Sequence, residues 1–133
     1  MLTLSREREE RDPCHARGVS DLIELRDRMQ AFIEERDWAQ FHDPKSLILA
    51  LVGEVGELAE LFQWLPADAA AARVQHEPLR SRVGEEMADV LLYLVRLADV
   101  LEIDLGDVAL HKLSGSASRF PADEVRGQAP EKA

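Results

Sequence analysis

Residues 46–65 read SLILALVGEVGELAELFQWL, and a second run of the same character, VGEEMADVLLYLVRLADVL, occupies residues 83–101. Neither alternates apolar with polar residues as a half-buried strand does. Both are apolar around most of a helical circumference for several turns, which predicts helices buried on more than one side. A protomer of a few helices leaves each helix one outward face, so apolarity on all sides predicts that another chain covers this face. The fold expected is all-α, with a four-helix core per protomer that assembles into an oligomer.

Glu54, Glu57 and Glu60 stand in the first of these runs, and Glu85, Glu86 and Asp89 in the second. Isolated carboxylates in such surroundings are costly. Glu54 and Glu57 are three residues apart, as are Glu86 and Asp89, so each pair projects from one side of its helix. If the two helices pack side by side, four carboxylates converge. Like charges gathered inside a protein require a counter-cation, and hard oxygen donors select Mg²⁺, with Mn²⁺ as a substitute, over zinc. The competing reading is a solvated acidic face, since glutamate is a good helix former. Against it, the flanking residues are Val, Leu, Ala, Met and Gly rather than the Lys and Arg that pair acids on an exposed helix. Gly53, Gly56 and Gly84 are compatible with space cleared for a ligand and equally with tight helix packing. The diiron pattern of four-helix proteins needs a histidine three residues after a glutamate, and no histidine here fits it. His42, His76 and His111 fall at predicted helix ends or in loops, where exposed or capping roles suit them better than ligation, and His15 falls in a terminal tail.

Outward from these runs, Ser20 is a candidate N-cap for a first helix that carries Leu22, Leu25, Met29, Phe32 and Ile33 at helical spacing and ends near Trp38. Asp43 and Pro44 open the second helix, which reaches about Leu65. Residues 66–78, PADAAAARVQHEP, form a connector with room for a short alanine-rich helix. The third helix runs from Leu79 to Leu101 or Glu102, and Asp104 caps a fourth from Leu105 to about Leu113. This divides the chain into an N-terminal tail (1–19), a helical domain (20–113) and a C-terminal tail (114–133) whose first part is a candidate for substrate contact.

With 133 residues the chain suits one domain, and its 46% hydrophobic content supports a core. Its formal charge of −10 is the wrong sign for unaided binding to a nucleic-acid polymer or an anionic membrane. A phosphate-bearing ligand would need a mediating cation. The single cysteine, Cys14, permits no intrachain disulfide, and the charged N-terminus resembles no secretory signal, so the expected location is cytoplasmic.

The segments GEVGELAELFQW (53–64) and EEMADVLLYLV (85–95) resemble the E-x-x-E, spacer, E-x-x-D motif of the MazG-type all-α nucleoside triphosphate pyrophosphohydrolases. The similarity extends from about Asp21 to Pro121, and residues 35–64 resemble the dCTP pyrophosphatase branch in particular. The resemblance implies a MazG-like fold, assembly as a homotetramer built from dimers, and active sites at protomer contacts. It implies Mg²⁺ held by Glu54, Glu57, Glu86 and Asp89, and hydrolysis of dCTP or a cytosine-modified dCTP to the monophosphate and pyrophosphate in nucleotide-pool sanitation. Glu57, then Glu60, would hold and deprotonate the attacking water, although Glu60 is equally compatible with a surface role. Trp38 and Trp64 become base-stacking walls, where ordinary packing is the alternative. Tyr93, one turn beyond Asp89, either lines the same cavity or is buried between subunits, and Phe41 and Phe62 are packing residues. The stretch HKLSGSASRFP (111–121) resembles the family's basic segment and would place Lys112 and Arg119 near the triphosphate. Here Ser116 stands where relatives often carry asparagine, and Lys112 also suits a cation at a helix C-terminus. Two other functions fit the same residues: a pyrophosphohydrolase of other or broad base preference, and a non-catalytic nucleotide-binding helical oligomer.

Overall fold

A computed structural model describes residues 13–129, with side chains from residue 21 onward, and all its regular elements are helical. They are α1 (Pro13–Glu34), α2 (Pro44–Glu60), α3 (Ala70–Arg73), α4 (Leu79–Val100), α5 (Leu105–Arg119) and α6 (Ala122–Val125), with a 3-10 turn at Ala39–Phe41. The side chains of Cys14 and His15, and residues 1–12 and 130–133 of the expected tails, lie outside the described residues.

Two helix starts follow the capping chemistry expected of them. Asp43 accepts from the Ser46 backbone N–H at 3.0 Å and from Ser46 Oγ at 2.6 Å, with Pro44 in the first turn of α2. Asp104 accepts from the Asp107 backbone N–H at 3.0 Å and opens α5. Two helix ends use a left-handed residue that is not glycine. Asp37 (φ 52°) closes α1 as Trp38 N–H reaches back to the Ile33 carbonyl at 3.1 Å. Glu102 (φ 55°) closes α4 as Ile103 N–H reaches the Ala98 carbonyl at 2.8 Å. Both are Schellman-type closures, which turn the chain within one residue.

Four boundaries differ from expectation, the first being the end of α1 at Glu34, with turns over residues 35–37, rather than near Trp38. Helix α1 already includes Pro13, the first described residue, so Ser20 is an interior position rather than an N-cap. Helix α2 ends at Glu60, with turns over residues 61–64, rather than at Leu65. Helix α5 continues past Leu113 to Arg119, and α6 follows, so helix extends into the segment expected to be a tail. In α5 the hydroxyls of Ser116 and Ser118 donate to the carbonyls of Lys112 and Ser114, four residues back, so these poor helix formers are satisfied within the helix. Lys112 and His111 therefore lie mid-helix, and the cation in the last turn is Arg119.

The principal packing is α2 against α4, with α1 laid on α4 and α5. Leu47, Leu51 and Leu58 supply the inward face of α2, and Val83 and Val90 lie on the corresponding face of α4. The apolar side chains fully buried among the described residues are Ile33, Leu47, Val83, Val95 and Ala98. By contrast Ile48, Val52 and Val55 form an exposed stripe along α2, and Met87, Leu91 and Leu94 one along α4. Phe41, expected to pack, is 63% exposed. Among the described residues no helix is long and apolar enough to cross a membrane.

Leu47 is 2% exposed in the first turn of α2, so Leu47→Ala leaves a buried cavity there. It should lower unfolding free energy by about 3 kcal/mol. Urea unfolding followed by circular dichroism measures this.

Candidate metal and nucleotide site

The faces that bury Leu47, Leu51 and Leu58 on α2, and Val83 and Val90 on α4, also carry Glu54 and Glu86. Helical spacing thus places two carboxylates in a seam otherwise built from aliphatic residues. Oxygens of Glu54, Glu57 and Glu86 all lie within 4.8 Å of one another; Glu54 and Glu86 are half-buried and Glu57 is exposed. Burial raises the Glu54 pKa, with further upward pushes from the charges of Asp89, Glu57 and Glu86. Each cause penalises the ionised form, and no lysine or arginine pairs with Glu54, Glu57, Glu86 or Asp89 among the described residues. A cluster of hard oxygen donors with this unrelieved negative charge fits a divalent cation.

A Cβ built at Gly53, Gly56 or Gly84 would meet nothing within 4 Å. Tight packing within the protomer therefore does not account for these glycines, and they leave open space around the acidic helices.

Asp89 stands apart from the three-carboxylate cluster. Its side chain lines a cavity of about 480 Å³ between α1 and α4, together with Met29, Phe32, Trp38, His42, Tyr93 and Arg96. Ligand cavities for small molecules span roughly 300–1,000 Å³. Trp38 meets Phe32 edge to face, with ring centroids 5.8 Å apart and planes at 75°. The Arg36 guanidinium covers Phe32, 3.7 Å from the ring centre. Asp89 thus joins two features: its charge acts on Glu54, and its side chain faces the aromatic cavity.

The remaining expected site residues lie elsewhere in the protomer. Trp64 is 86% exposed in the turn after α2, and Glu60 is exposed at the end of that helix, outside the cluster. Lys112 and Arg119 share an open groove on α5 with His111 and Ser116. The cavity that holds Trp38 and Tyr93 contains neither Trp64 nor these cations.

Two cavity residues were not singled out by sequence reasoning. His42, expected to be exposed or capping, is half-buried, and its Nδ1 accepts a hydrogen bond from Arg96 Nε at 3.2 Å. Arg96 itself is buried, and its one legible signal is a lone base between Val90 and Ala98 in an otherwise uncharged stretch of α4.

The family model of the MazG nucleotide pyrophosphohydrolase domain matches residues 42–121, which include both acidic pairs. The chain belongs to the MazG nucleotide pyrophosphohydrolase family. It is 44% identical over 108 residues to dCTP pyrophosphatase 1 of Bos taurus, covering 81% of this chain and 64% of that protein. The human dCTP pyrophosphatase 1 is 45% identical over 105 residues, covering 79% of this chain and 62% of the relative. The chain thus spans somewhat under two-thirds of the length of these curated relatives. Among solved structures, a pyrophosphatase from Archaeoglobus fulgidus superposes with a TM-score of 0.69 at 34% identity, covering 76% of this chain and 93% of that one. The MazG-like fold and family expected from the two acidic motifs are therefore those found.

Because the Glu54 pKa is raised on folding, the folded state holds a proton that the unfolded state has released at intermediate pH. Stability should fall as pH rises from the ordinary carboxylate value through the raised one. Glu54→Gln should flatten that part of the stability curve, as followed by thermal melts from acid to neutral pH. A divalent cation at one hundred times its Kd should stabilise the wild-type protein at neutral pH by about 2.7 kcal/mol. The variant should lose most of that gain.

Proposed function

We propose that this MazG-family protein is a Mg²⁺-dependent nucleoside triphosphate pyrophosphohydrolase that converts dCTP, or a cytosine-modified dCTP, to the monophosphate and pyrophosphate. The observation that carries this reading is Asp89, which lines the aromatic cavity and whose charge acts on Glu54 of the carboxylate cluster. A nucleotide has the matching halves, a polyanion and a flat base. Its base would occupy the cavity beside Trp38 and Tyr93, and its triphosphate would extend toward the acids. The identities to dCTP pyrophosphatase 1 support the choice of base.

Glu54, Glu57, Glu86 and Asp89 would hold the cation, Mg²⁺ by preference and Mn²⁺ as a substitute, since all offer hard oxygen donors. When bound, it supplies positive charge that offsets the triphosphate and favours ionisation of the attacking water. Glu57 is exposed and adjoins Glu54 and Glu86, so its carboxylate is the first choice to accept the water's proton. Glu60 is the second choice. Water adds to phosphorus, the bridge between the α- and β-phosphates breaks, and pyrophosphate leaves.

We infer further that protomers with a four-helix core associate, as a homotetramer of paired dimers, through the exposed stripes of α2 and α4. The small buried core and the exposure of Val52, Trp64 and Met87 support association. Trp64, Lys112 and Arg119 would then serve sites formed at protomer contacts. The negative net charge supports a nucleotide with a mediating cation, rather than a nucleic-acid polymer or an anionic membrane, as partner, and the cytoplasm is the proposed location.

Purified protein incubated with each dNTP and Mg²⁺ should turn over dCTP fastest and release pyrophosphate, resolved by ion-exchange chromatography. Orthophosphate as the sole phosphate product would overturn the assigned bond. Glu54→Gln should lower kcat at least about a hundredfold, the low end of what a catalytic electrostatic contact contributes. Light scattering should show the variant still assembled.

A further inference from the structure

Arg96 is the buried charged side chain of the described residues, 6% exposed within α4. Its guanidinium joins three parts of the chain. Nη1 donates to Gln30 Oε1 on α1 and to Asp99 Oδ2 at 2.8 Å, and Nε donates to His42 Nδ1 at 3.2 Å. Gln30 is itself oriented, because its amide nitrogen donates to Glu34. An arginine guanidinium has donors and no acceptor, so the His42 nitrogen facing it must be bare. The ring's proton then resides on Nε2. Burial, and secondly the positive charge of Arg96, lower the His42 pKa and favour the neutral ring. Nε2 makes no hydrogen bond among the described residues, and His42 lines the cavity that also contains Trp38, Tyr93 and Asp89. The cavity wall therefore carries one neutral imidazole whose tautomer is set by Arg96, a residue of the same wall.

We propose that Arg96 is a positioning residue that holds His42 as a fixed Nε2–H donor, and that this donor reads an acceptor on the base of the bound nucleotide. The inference rests on the nucleotide-hydrolase reading above. Cytosine N3 is an acceptor, whereas uracil and thymine carry N–H at position 3, which opposes a donor; O2 is an acceptor in all three bases, so N3 is the atom the donor reads. In a partly dry cavity that mismatch leaves two donors face to face, a larger penalty than the loss of a single contact. The pair thus acts on base choice, while the carboxylates act on the phosphates.

Two measurements test this in the full chain. Nitrogen-15 chemical shifts of His42 at neutral pH should show Nε2 protonated and Nδ1 bare; a proton on Nδ1 overturns the proposal without recourse to a variant. In steady-state kinetics, Arg96→Met should raise KM for dCTP roughly tenfold, the loss of one buried hydrogen bond, and narrow the preference for dCTP over dTTP. Its kcat should change by less than about twofold, since contacts equal in ground and transition states act on KM. Arg96→Gln, which retains an N–H to offer Nδ1, should recover most of the affinity. On a His42→Phe background Arg96→Met should add no further loss, because the two act as one unit. Wild-type protein that hydrolyses dCTP, with Arg96→Met unchanged in KM and base preference, overturns this inference alone. Wild-type protein that hydrolyses no nucleotide overturns the functional reading, and this base assignment with it.

Discussion

The structure turns on placing like charges where a helix seam calls for aliphatic side chains. Glu54 occupies the α2 face of Leu47, Leu51 and Leu58, and Glu86 the α4 face of Val83 and Val90. Bringing their oxygens within 4.8 Å of one another and of Glu57 opposes folding, as the raised Glu54 pKa records. The aliphatic contacts above and below offset that cost and keep the helices close enough for the carboxylates to share a centre. This is the usual tension between stability and a preorganised site: the seam would be stronger with Leu at both positions, and it would then bind nothing. Packing within the protomer does not account for Gly53, Gly56 and Gly84, where a Cβ would meet nothing within 4 Å.

Much of this was legible in the sequence, for identifiable physical reasons. The convergence of Glu54, Glu57 and Glu86 follows from helical spacing and from the apolar flanks that force α2 and α4 together. The starts of α2 and α5 were legible because Asp43 and Asp104 cap within three residues, and local chemistry can be read locally. The end of α5 was not: serine and glycine favour coil by propensity, and only the backbone path shows the Ser116 and Ser118 hydroxyls satisfied inside the helix. The interior place of Ser20 in α1 was not legible either, since serine before an apolar helical run reads as a cap.

Long-range polar contacts were the least legible. Arg96 meets partners 54 and 66 residues away, and no periodicity in either segment encodes that pairing. A lone arginine in a run of Val, Leu and Tyr signals a buried partner without naming it. His42 is the complementary case, since a histidine beside a helix cap reads as a surface group until the guanidinium behind it is seen. Trp38 and Tyr93 lie in one cavity, whereas Trp64 projects away from the protomer, although the two tryptophans look equivalent in sequence.

In the proposed oligomer the three sides of α2 would couple assembly to cation binding. One side carries the seam and Glu54, a second carries exposed Ile48, Val52 and Val55, and a third carries Leu49, Gly53, Gly56 and Glu60. The helix is about 10 Å across, so a chain that covers the second side also removes water from the surroundings of the carboxylates on the first. The lower local dielectric strengthens repulsion among Glu54, Glu57 and Glu86, and it strengthens their attraction for a cation by the same factor. Burial of the apolar stripe thus does more than remove hydrocarbon from water. In the proposed assembly it would convert a half-solvated acidic cluster, tolerable when empty, into one whose stability depends on the proposed ion.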